Sequence, residues 1–153
     1  MINNYTVSST EKFQISDIKF NKDGLVPVIS QCFHTGVILM MAWMNEESLK
    51  KTIDTNEMYY FSRSRQKLWK KGETSGLIQK IKEIKIDDDQ DCVIFEVELG
   101  GLEASCHVGY KSCFYRKLIL EQGKYIDKLE FTEKEKVFDP LEIYGDTPNP
   151  TKL

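Results

Sequence analysis

Two apolar, β-rich stretches, residues 25–33 (LVPVISQCF) and 37–44 (VILMMAWM), are joined by His34-Thr35-Gly36. Runs of this length around a turn tripeptide predict a β-hairpin. The period then changes. Asn45 is a helix N-cap, and Glu46 and Glu47 stand where the positive helix end favours acids. Leu49 and Ile53 fall on one face, and Asn56 is a stop signal. Residues 58–64 (MYYFSRS) read as a strand, and residues 70–76 (KKGETSG) as a polar, Gly-bounded loop. Residues 77–86 fit either period, and their four isoleucines favour strand. Residues 92–99 (CVIFEVEL) form another strand, closed by Gly100-Gly101. Residues 114–120 and 125–129 flank Gln122-Gly123, a second hairpin signal, and Pro140, Pro148 and Pro150 make the tail irregular. The fold class is α+β: a mostly antiparallel β-sheet with one helix, in a single domain without repeats. Residues 1–16 are read as a loose extension, residues 17–120 as the body, and residues 121–153 as a C-terminal hairpin and irregular tail.

Composition narrows the class. The chain has 153 residues, 41% hydrophobic and 29% charged, which suits one domain with a real core and excludes bulk disorder. A net charge of −3 argues against a nucleic-acid partner. The longest apolar run, residues 37–44, is far short of the roughly 20 residues that span a bilayer. No apolar leader region precedes the body, so a soluble, cytoplasmic protein without a membrane partner is expected. In that compartment Cys32, Cys92, Cys106 and Cys113 stay reduced, as small buried hydrophobes or as metal ligands.

The charge is unevenly spread. Arg63, Arg65, Lys67, Lys70, Lys71, Lys80, Lys82 and Lys85 are followed at once by Asp87, Asp88, Asp89 and Asp91. The runs are either solvated faces or a cationic pocket for phosphates beside a carboxylate pocket for a cation. Along an extended chain Asp87, Asp89 and Asp91 share a face, and their hard oxygens suit Mg²⁺ or Ca²⁺. A straight strand spreads them over about 13 Å, so one ion requires the chain to curl there. An EF-hand is disfavoured, since Cys92 stands where its sharp turn wants glycine and the flanks are β-like. Further on, Cys106, His107 and Cys113 lie within eight residues, with Gly109 permitting a turn. They are a packed thiol pair or a soft-metal site, and His107 is then a ligand or a proton carrier.

The segment SRSRQKLWKKGETSG (residues 62–76), with Tyr60-Phe61 before it, closely resembles the signature of the phosphoribosyl-AMP cyclohydrolase family of histidine biosynthesis. The Asp-rich turn and Ser105-Cys106-His107-Val108-Gly109-Tyr110-Lys111-Ser112-Cys113-Phe114 follow in the family's order, and the likeness spans about residues 17–116. The resemblance implies an intertwined homodimer that opens the N1–C6 bond of the adenine ring of 1-(5-phosphoribosyl)-AMP with a zinc-activated water. It implies Mg²⁺ on Asp87, Asp89 and Asp91, and zinc on Cys106 and Cys113 with a third ligand from the partner chain. It makes His107 the catalytic residue. Arg63, Arg65, Trp69, Lys71, Thr74 and Ser75 become substrate-binding candidates, with Trp69 either stacking on a base or packing.

One departure matters. The family carries Asp-Cys-Asp-x-Asp, and here Asp88 replaces the cysteine that completes the zinc site. Asp88 then ligates zinc itself, or Cys92 is recruited. Otherwise the chain is a non-catalytic or altered-specificity nucleotide- or metal-binding relative with a modified zinc site. Leu77 also stands where the family usually has a polar residue. The short stretch after Arg116 does not fit a fused helical pyrophosphatase, so a monofunctional enzyme is expected.

Overall fold

The computed structural model describes residues 9–146. After a 3₁₀ turn at Ile15–Asp17 come β1 (Val26–Cys32), β2 (Ile38–Met44), α1 (Glu46–Thr55), β3 (Tyr59–Ser62), β4 (Lys67–Lys70), β5 (Gln79–Ile86) and β6 (Val93–Leu99). A separate hairpin follows, β7 (Arg116–Glu121) and β8 (Lys124–Phe131), and then the short α2 (Pro140–Tyr144). The first six strands form one mixed sheet in the order β4-β3-β2-β1-β6-β5, so the fold is α+β with one substantial helix. Among the described residues no helix is long and apolar enough to cross a membrane.

Alternation builds the core. In β1, Val26, Val28, Ser30 and Cys32 point inward and their neighbours are half-exposed. Val93, Phe95 and Val97 do the same in β6, and Leu39, Met44, Met58 and Tyr60 close the cluster. β1 and β6 pair in parallel, Val28 to Val93 through Cys32 to Val97, while the other pairs in the sheet are antiparallel. The sheet is therefore mixed. Strand pairs distant in sequence leave no local signal, which is why the parallel step is invisible in the hydrophobic pattern.

Other boundaries also move. The stretch Lys67–Lys70 is a strand, β4, paired with β3 across a turn at residues 63–66. Only its partner makes it one, since four residues with lysine at both ends carry no strand pattern. The helix buries Ser48, Leu49 and Thr52, and Ile53 is exposed. Thr52 takes the inner face because its hydroxyl donates to the Tyr59 carbonyl and accepts from the Tyr59 amide. Part of the tail expected to be irregular forms α2, capped by Asp139 with Pro140 in its first turn. Pro148 and Pro150 lie outside the described residues.

Asn45 caps α1 as read: its carboxamide oxygen accepts from Ser48 N at 2.9 Å, and its own amide donates to Ser48 Oγ at 2.9 Å. Asn45→Ala is expected to cost about 1 kcal/mol. Urea midpoints at unchanged slope check it.

Candidate metal and substrate site

The loop between β6 and β7 carries Cys106 and Cys113. Ser105 N donates to Lys111 O at 2.9 Å and Cys106 N to Tyr110 O at 3.1 Å, so the chain doubles back on itself. Gly109 N closes the turn on Cys106 O at 3.0 Å. Gly109 holds φ at +101°, and a Cβ there would stand 2.3 Å from Phe138 O. Only glycine fits. The loop is fastened to β2: Cys113 N donates to Leu39 O at 2.7 Å, and Ser112 Oγ to Ile38 O at 2.6 Å. From beyond β8, the Glu133 carboxylate accepts from the amides of Lys111 and Ser112 at 2.9 and 3.0 Å.

These restraints hold Cys106 and Cys113 in one pinned loop with their side chains near enough to act on each other. That contact outweighs burial and lowers Cys106 to about 7, and it raises Cys113. Half-buried His107 occupies the turn directly after Cys106. Two thiols, one easily ionised, form a soft donor pair suited to zinc, while the one trio of metal-ligating side chains gathered among the described residues is Asp87, Asp89 and Asp91.

A buried polar network lies behind the loop. Tyr60 Oη donates to Gln79 Oε1 at 2.6 Å, and Gln79 Nε2 donates to Ser105 Oγ at 3.0 Å and Ser30 Oγ at 3.4 Å. Burial raises the Tyr60 phenol, which stays a neutral donor. Lys71, only 6% exposed, donates to the Ser105 carbonyl. Burial lowers its ammonium, and the Cys113 and Cys106 sulfurs act against that shift.

The acidic residues form a second cluster. Between β5 and β6 the chain curls: Asp87 Oδ1 accepts from Asp91 N at 3.0 Å and Cys92 N at 3.1 Å, with Gln90 in a left-handed conformation. This brings one oxygen each of Asp87, Asp89 and Asp91 within 4.8 Å of one another. Hydrogen bonds shared with Asp87 and Asp89 raise Asp91. For Asp87, desolvation acts upward, but the Cys92 amide and its other donors outweigh it and lower the group. An oxygen cluster this tight fits Mg²⁺.

The two clusters do not meet within one chain. Ser105 is bonded to Gln79, which opens β5, and Asp87 follows Ile86, which ends it. A strand of eight residues is about 24 Å from end to end. Asp88, exposed on the acidic turn, and half-buried Cys92 both belong to the far end.

The substrate candidates separate similarly. Arg63 and Arg65 are exposed on the β3–β4 turn, with Arg63 over the Trp43 ring at 4.8 Å and Arg65 Nε on Ser62 Oγ at 3.3 Å. Trp69 is half-buried on β4 with its ring centroid 5.0 Å from that of Tyr60. Thr74 is exposed, and Ser75 Oγ accepts from Leu77 N at 3.2 Å. Trp69 packs against the core, and Lys71 of the six is the one bonded to the cysteine loop.

A family model, Phosphoribosyl-AMP cyclohydrolase, matches residues 40–115. A phosphoribosyl-AMP cyclohydrolase of Methanoregula boonei is 48% identical over 130 residues, 85% of this chain and 96% of the relative. One of Desulforapulum autotrophicum is 47% identical over 129 residues, 84% and 98% of the two chains. One of Caulobacter vibrioides is 51% identical over 110 residues, 72% and 78%. The chain belongs to the phosphoribosyl-AMP cyclohydrolase family.

In this cyclohydrolase-family chain three features escaped the sequence reading. Lysine in a basic run reads as surface, so the burial of Lys71 had no signal. Glu133 lies 22 residues from Lys111, and a carboxylate clasping two amides across that interval leaves no motif. Leu77 is fully buried with Ala104 and Phe138, so apolar contact with the C-terminal segment explains a non-polar residue there.

Proposed function

We propose that the chain hydrolyses the N1–C6 bond of the adenine ring of 1-(5-phosphoribosyl)-AMP in histidine biosynthesis. The observation that carries this reading is the pinned loop that brings Cys106 and Cys113 together, with His107 in the same turn. Cys106 and Cys113 hold zinc, with Asp88 of a second copy as third donor, and Asp87, Asp89 and Asp91 hold Mg²⁺. Zinc bound there supplies the Lewis acidity that brings a water towards ionisation at neutral pH. In this reading His107, next to Cys106 in the chain, takes the proton of the water that adds to C6 and returns one to N1 as the C6–N1 bond breaks. Arg63 and Arg65 pair with the phosphates, backed by Thr74 and Ser75, and Trp69 shapes the floor beneath the base.

The strand-length separation of the two clusters supports a homodimer. A zinc with only Cys106 and Cys113 is short of donors, and the acidic turn of the same chain is at the far end of β5. A two-fold pairing of copies brings one chain's acidic turn to the other's cysteine loop.

Turnover is read as the absorbance change on ring opening. Protein loaded with Zn²⁺ and Mg²⁺ is expected to turn over, and a chelator to reduce the rate to background. A fully loaded protein without turnover contradicts the proposal. Activity gained only with Asp88→Cys would instead identify a relative whose zinc site has lost function.

A further inference from the structure

Lys71 is the charge least explained by binding an outer phosphate. It is 6% exposed, and its ammonium is directed at the Ser105 carbonyl, one residue before Cys106. Among the described residues no carboxylate pairs with it, and the ionisable groups near enough to act on its charge are Cys113 and Cys106. An ammonium this buried costs several kcal/mol unless an opposite charge compensates it. The hydrogen bond to one neutral carbonyl leaves two of its three protons without a partner in the described contacts.

We propose that Lys71 is a positioning residue of the thiolate centre: its buried cation balances the excess negative charge of the loaded site while its hydrogen bond to Ser105 O fixes the Cys106 turn. The inference rests on the zinc reading above. Two thiolates and one carboxylate around a divalent ion leave one excess negative charge, which a neighbouring ammonium stabilises. In the metal-free chain the buried ammonium has one neutral acceptor, the Ser105 carbonyl, and no carboxylate partner among the described residues, so Lys71 then destabilises the fold. One residue thus favours the loaded state from both sides. A substrate-binding lysine predicts none of this, because its removal leaves metal affinity unchanged. A purely structural lysine predicts loss of stability in both states.

The test measures zinc affinity by competition with a chromophoric chelator, and metal-free thermal unfolding, in full-length wild type, Lys71→Met and Lys71→Gln. Glutamine keeps a donor for Ser105 O and removes the charge, and it serves if methionine disturbs folding. Zinc affinity is expected to fall about 10- to 100-fold in both variants, while the metal-free melting temperature of Lys71→Met stays level or rises. Wild-type affinity in Lys71→Gln, or tighter binding in either variant, overturns the inference alone. A wild type that holds zinc no better than Cys106→Ser overturns the site reading, and this inference with it.

Discussion

Replacing Cys106 by serine is expected to remove stoichiometric zinc and lower turnover by at least about 10³-fold. The thiol is buried, its side chain meets Cys113, and its backbone closes the turn on Tyr110 and Gly109. Serine keeps those backbone bonds and nearly the same volume, so the fold is left intact. A serine hydroxyl does not ionise near neutrality and is a poor zinc ligand. On the proposed reading one thiol, Cys113, would remain, too few donors to hold the ion that would supply Lewis acidity to the water. Metal analysis of the purified variant beside its rate separates this from unfolding, as does an unchanged urea midpoint in chelator. A variant that keeps zinc and full rate would show that Cys106 merely packs.

The second large effect is expected from Gly109→Ala. At φ +101° an L side chain is strained by about 1–3 kcal/mol. The added Cβ also meets the Phe138 carbonyl at 2.3 Å, which is backbone and cannot rotate away. Val137 N donates to Gly109 O at 2.7 Å, so the C-terminal segment is tied to the same residue and shifts with it. We expect a loss of about 3 kcal/mol or more in unfolding free energy. Zinc affinity falls with it, because the displaced turn separates Cys106 from Cys113. Denaturation in chelator gives the first quantity and chelator competition the second. Wild-type values for both would contradict the contact with Phe138.

Much of the scaffold is visible in the residues. The first hairpin, α1 with its Asn45 cap, and the Gln122-Gly123 hairpin follow from local chemistry that no distant contact overrides. What is not visible depends on partners far along the chain. β1 and β6 join in parallel across more than sixty residues, β4 exists only against β3, and Thr52 displaces Ile53 because Tyr59 offers it two hydrogen bonds. At the site, donor chemistry is legible and placement is not. Asp87, Asp89 and Asp91 suggest a cation by type, but the tight turn that gathers them comes from Asp87 accepting two backbone amides. Lys71 and Arg63 look alike in sequence, yet one is buried behind the cysteines and the other lies on an exposed turn.

The proposed catalytic centre is divided between the ends of β5 and would be completed only between two copies. Subunit mixing tests it most directly. Cys106→Ser and Asp88→Ala chains are purified, shown to be inactive alone, then unfolded and refolded together with Zn²⁺ and Mg²⁺. In a mixed dimer one site combines the intact Cys106 of one chain with the intact Asp88 of the other, and the second site carries both defects. Random pairing then restores about a quarter of the wild-type rate. A mixture as inactive as its components would contradict the shared centre.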